Sequence, residues 1–138
     1  MALFDPHSLD TAPTTDAPAH ELAWFAIRQP AVVRFLERRL ASTDGDALAL
    51  GLDLACRLHA AVTLHHGIEP VRIHDPLLRD GLAMAPPESL TTWVHERCRA
   101  APVVLTDREE EAVAESIAAV AWALAAGWST DSPHRWIG

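Results

Sequence analysis

Two cysteine–histidine pairs are the residues in this sequence best spaced for chemistry. Cys56-x-x-His59 and His95-x-x-Cys98 each set a thiol and an imidazole three residues apart, which on a helix is one face. Two such faces brought together would offer two sulfurs and two imidazole nitrogens, a donor set suited to tetrahedral zinc. Antiparallel packing would place like against like, and parallel packing would cross them. Ordinary burial competes with that reading, since free Cys behaves as a small hydrophobe. With 8 His in 138 residues, a His falls at a helical-neighbour position of one Cys with a chance of about 0.2, and of both with about 0.05. A coincidence that common does not displace burial. The expectation is therefore no cofactor, with Zn on Cys56, His59, His95 and Cys98 as the alternative.

Other signatures of catalysis can be checked directly. No Glu-x-x-His occurs, which removes the carboxylate di-iron pattern of helical bundles. His20-Glu21 and His95-Glu96 lack the second His of the zincin spacing. There is no phosphate-cradling Gly-rich loop and no Gly-x-Ser-x-Gly elbow. The chain has no Lys and no Tyr, so few side chains are left for acid–base work. The adjacent His65 and His66 suit the negative end of a helix dipole. Glu69, His74 and Asp75 follow them without a recognised ligand spacing. Arg34 and Arg38, four apart on a helix, share a face able to hold a phosphate or carboxylate, although a solvated face partly paired with Glu explains them too. The balance points away from an enzyme.

Composition narrows the class of partner. The net charge is −8, against a generic nucleic-acid binder, which needs cations to displace counterions from phosphates. All 11 basic residues are Arg, and Asn is missing altogether, which reads as a GC-rich bacterial coding bias. The start, MALFDPHSLD, has neither the basic nor the apolar region of a signal peptide. The longest apolar run, Ile117–Trp128, is about 12 residues, short of a bilayer span. Two cysteines do not make a disulfide framework. These observations imply a cytoplasmic protein with no membrane partner.

Helices must position whatever chemistry exists. Asp46–His66 is apolar around most of its circumference, with Leu48, Leu52, Ala55, Leu58 and Val62 at helical spacing, as in a central helix with several neighbours. Gly51 would let one of those neighbours approach closely. Before it, helices are expected over about 18–29 (Leu22, Phe25 and Ala26 inward, Trp24 and Ile27 widening the stripe) and 31–42 (Val33, Leu36 and Leu40 inward). Pro30 separates the two. Thr43 and Asp46 form a weak capping box. In the 67–87 connection, Asp75-Pro76 starts a short helical turn that Gly81 ends. Val71–His74 is expected to be extended and to pair briefly with Val103–Leu105. A fourth main helix covers about 88–101, with Leu90, Trp93, Val94 and Ala101 inward. Thr106-Asp107-Arg108-Glu109 is the clearest capping box and opens the fifth helix, about 107–126, stopped by Gly127.

The reading that results is an all-α protein: a small helical bundle of about five main helices plus the short turn, with Asp46–His66 and 107–126 at its centre. Residues 1–17 make a mobile arm, 18–127 a single helical domain and 128–138 a Trp-containing tail. Apolar residues at both ends, Leu3, Phe4, Trp128, Trp136 and Ile137, are candidate anchors on a protein partner or a second copy. The function expected is a non-catalytic interaction domain, an accessory or assembly subunit of a larger bacterial complex. The alternatives are a metal- or small-ligand-binding domain using the Cys/His pairs, and an acidic subunit of a nucleic-acid-handling complex touching phosphates through Arg34 and Arg38.

Overall fold

The computed structural model describes residues 18–41, 45–66 and 70–128, and proline and helix caps cut these described residues into six helices. They are α1 (Pro18–Arg28), α2 (Pro30–Arg39), α3 (Asp46–His66), α4 (Asp75–Leu82), α5 (Glu88–Ala100) and α6 (Asp107–Trp128), with no strand among the described residues. Pro30 opens α2 and Pro76 lies in the first turn of α4, where a missing N–H costs nothing. The Thr106–Glu109 capping box forms as read. Glu109 N–H donates to Thr106 Oγ1 at 3.1 Å, and Thr106 N–H donates to Glu109 Oε1 at 2.9 Å.

The central helix has the expected bounds, while two others run past the glycine expected to stop them. Gly45, at φ +101, is the residue that flanks α3, its carbonyl accepting from Ala49 N–H at 3.0 Å. Thr43, expected to cap this helix with Asp46, lies outside the described residues. α4 runs through Gly81 to Leu82, and α6 runs through Gly127 to Trp128. Gly81 is kept for closeness instead: a Cβ there would stand 2.7 Å from the carbonyl oxygen of Ala119. It marks the point where α4 rests on the backbone of α6.

α6 is the hub. Its side chains from Ile117 to Ala125 are all buried, and it packs against α4, α3, α5 and α2. Alanine at most of those positions allows four neighbours around one helix. α3 is the second axis, in contact with α6, α1 and α2. Its buried stripe is Ala47, Gly51, Leu54, Ala55, Leu58, Ala61 and Val62. Leu48, Leu50 and Leu52 are only half-buried, and Leu64 is exposed. By length and composition α3 is apolar enough over Asp46–Leu64 to cross a membrane. Here its buried stripe serves as core, and its outer side carries an Asp53–Arg57 ion pair at 3.2 Å.

The smaller helices turn differently from the simplest apolar count. In α2 the buried set is Ala31, Val32, Phe35, Leu36 and Leu40, with Val33 at the margin. In α1, Phe25 is fully inside while Trp24 and Ile27 face out. In α5, Cys98 takes the inward place expected for Ala101, which lies just past the last turn. The expected pairing of Val71–His74 with Val103–Leu105 does not form: neither segment is a strand, and another group holds one edge of the first.

Candidate functional site

That group is the side chain of Gln29, fully buried in the break between α1 and α2. Pro30 forces the break, and Gln29 adopts φ −129, ψ 61 there. Its own backbone stays within the helical ladder, N–H to Phe25 O at 2.8 Å and O from Val33 N–H at 3.3 Å. The side-chain amide is thereby free to reach across. Nε2 donates to Val71 O at 2.9 Å, and Ile73 N–H donates to Oε1 at 2.8 Å. A carbonyl and an N–H two residues apart are what a parallel neighbour strand would engage. One amide thus stands in for one residue of a strand. All four hydrogen-bonding groups of a buried Gln are satisfied, as burial demands.

The clamp brings the end of α1 beside the 70–74 segment, and both carry exposed apolar side chains. Trp24, Ile27 and Arg28 share the outer face of α1 by their spacing. Trp24 is 49% and Ile27 63% exposed, and Val71 in the clamped segment is 56% exposed. The Arg28 guanidinium lies 5.8 Å from the Trp24 ring centroid, within cation–π range.

Charge gathers on this side too. Segments 28–39 and 70–80 hold six of the chain's 11 arginines but three of its 19 carboxylates. Arg38 pairs with Asp75 at 3.6 Å, which ties α2 to the start of α4. Of the expected anion-binding pair, Arg38 thus stands next to the clamped segment, and Arg34 is exposed one turn before it on α2. Arg39 turns the other way, to Glu115 and Ser116 on α6, both at 3.4 Å.

The Cys/His residues are not brought together. α3 and α5 each pack on α6 and make no comparable interface with one another. The two faces that a Cys₂His₂ site needs are thus separated. His59 is buried edge-on against Phe25, ring centroids 5.4 Å apart. His95 Nδ1 donates to Glu110 Oε2 at 2.7 Å across the α5–α6 seam, with Arg99 3.8 Å from the same oxygen. Burial, assisted by the Glu110 charge and opposed by Arg99, pushes the Cys98 thiol up to about 11. A thiol held protonated is a poor nucleophile and a poor ligand. Among the described residues no three His, Cys, Asp or Glu side chains are grouped to hold a metal ion. A shallow groove of about 390 Å³ on α5, lined by Glu88, Ser89, Thr92, Trp93 and Glu96, is acidic at its rim.

Of the terminal anchors, Leu3, Phe4, Trp136 and Ile137 lie outside the described residues, as does the side chain of Trp128. The reading from sequence missed Gln29 and Glu110. Glu110 hides among three glutamates in an acidic helix start. Gln29 had a visible signal: an uncharged polar side chain just before a proline, between two apolar stripes. No known protein family, curated protein or solved structure matches the chain.

Proposed function

We propose that this chain is a non-catalytic protein–protein interaction domain, an accessory or assembly subunit of a cytoplasmic bacterial complex. Its docking surface is the outer face of α1 together with the clamped 70–74 segment. The observation that carries the reading is Trp24 and Ile27, large apolar side chains left about half exposed or more on a helix whose inner face reaches the core through Phe25. Aromatic side chains flanked by Arg are characteristic of binding hot spots. The terminal anchors would extend the same role.

The test is a Trp24→Ser, Ile27→Glu double variant. Both sites are exposed, so its melting temperature should stay within about 2 °C of wild type. Tagged wild-type protein drawn from its native cell should retain a specific protein, or run as an oligomer in light scattering, and the variant should lose that association. Identical partners and identical mass for the two proteins would refute the proposal.

A further inference from the structure

The 70–74 segment belongs to no sheet, yet Gln29 fills one edge of it as a neighbouring strand would. In an extended chain, alternate residues direct their N–H and C=O groups to opposite edges. Val71 O and Ile73 N–H point to one edge and are taken by Gln29. Arg72 therefore offers its N–H and C=O to the other edge, and Arg72 is exposed. His74 continues the extended conformation, at φ −114, ψ 158. The segment expected to fill that edge, Val103–Leu105, is not a strand.

We infer that this open edge receives an extended, acidic segment of a partner protein by strand addition, pairing with the Arg72 backbone. The inference rests on the interaction reading above and names the partner's chemistry. Main-chain pairing supplies the affinity in such complexes, and alternate side chains supply the selectivity. Here one set of peptide side chains meets exposed Val71 and the other meets arginine. Arg34 and Arg38 lie one turn apart on α2, Arg79 lies one turn beyond Asp75 on α4, and the Arg38–Asp75 pair at 3.6 Å joins the two rows. Glu37, Asp75 and Asp80 are the opposing carboxylates in these segments. With Arg39 turned to α6, five arginines stand against these three, so the balance selects carboxylates on the incoming strand even though the whole chain is acidic. Gln29 contributes by fixing the segment before a partner arrives, which removes part of the ordering cost of binding.

The experiment uses the full chain and a fluorescein-labelled peptide of alternating Glu and Val. Three comparison ligands accompany it: the same peptide N-methylated at alternate residues in either register, a Lys/Val peptide, and a single-stranded oligonucleotide of equal length. Anisotropy should show saturable binding of the Glu/Val peptide and none of the Lys/Val peptide. N-methylation in one register should weaken binding by roughly fivefold, as expected for the one peptide N–H that the Arg72 carbonyl accepts. Arg72→Gln, which keeps the backbone and removes the charge, should weaken it by roughly threefold. In amide-resolved NMR the Arg72 N–H should move on binding.

Equal binding of both N-methylated peptides overturns the proposal, as does absence of saturation at millimolar peptide. Tighter, competitive binding of the oligonucleotide overturns it in favour of phosphate recognition by the same arginines. If the peptide fails while the Trp24→Ser, Ile27→Glu variant still loses its partner, strand addition falls and the interaction reading stands.

Discussion

Replacing Gly81 by Ala puts the packing argument at its most exposed point. The added methyl would lie 2.7 Å from Ala119 O, 3.0 Å from its Cα and 3.2 Å from its carbonyl carbon. All three are backbone atoms of the hub helix, which four neighbours hold in place. Contact at ordinary van der Waals distance requires α4 to retreat by roughly 0.5–1 Å, loosening the seat of buried Leu78. Overpacking of this kind costs about 1–3 kcal/mol, while Gly→Ala inside a helix returns about 1 kcal/mol of propensity. Backbone cannot turn aside, so the upper part of that range applies, about 2–3 kcal/mol, and the net expectation is a loss of about 1–2 kcal/mol, or roughly 4–10 °C in melting temperature for a domain of this size. Gly51→Ala is the matched control. There the methyl meets the end of the Leu40 side chain at 2.8 Å and Leu36 at 4.0 Å, and Leu40 can turn aside. Its cost and its gain in propensity should cancel to within about 0.5 kcal/mol. Urea denaturation of the two variants side by side gives both numbers. A Gly81→Ala protein as stable as Gly51→Ala would refute the claimed close approach.

Gln29→Leu leaves Val71 O and the Ile73 N–H without their partner, and should cost about 2–4 kcal/mol in chemical denaturation; a loss below 1 kcal/mol would mean that water replaces the amide. Thr106→Ala removes half of the capping box and should cost about 1 kcal/mol by the same measurement. Because the folded state holds the Cys98 thiol up at about 11, from 9.0, the unfolded chain releases that proton first as pH rises. Stability should therefore be intact below pH 9 and fall between 9 and 11, as linkage requires. With no Lys or Tyr in the chain, few other side chains titrate there, and Cys98→Ala should flatten that part of the profile.

The helices were legible because their punctuation is strong and local. Pro30, Asp75-Pro76 and the Thr106–Glu109 box act within a few residues, and α6 announces its burial by an unbroken apolar end. What lay beyond one turn was not legible. Periodicity places Val33, Leu36 and Leu40 on one stripe as readily as Val32, Phe35 and Leu36, and only the position of α3 and α6 chooses between them. The Cys/His pairs were correctly placed on single faces. Whether the faces meet depends on which helix comes between, and composition cannot order helices in space. Gly81 was taken for a stop signal because glycine has two uses, and the second needs a neighbour's backbone. Gln29 illustrates the same limit: its partners are 42 and 44 residues away.

That separation bears on how the molecule opens. Between Gln29 and Ile73 the chain runs the whole length of α3, so the clamp closes a loop containing one of the two main axes of the bundle. The Ile73 amide sits outside any helix, where exchange with solvent is ordinarily fast. Yet its acceptor is anchored in the corner between α1 and α2. Releasing that amide means parting the corner from the approach to α4, a motion larger than local fraying. Ile73 should exchange on the slow timescale of the core helices, making a residue in an irregular connection a reporter of the cooperative opening of the fold.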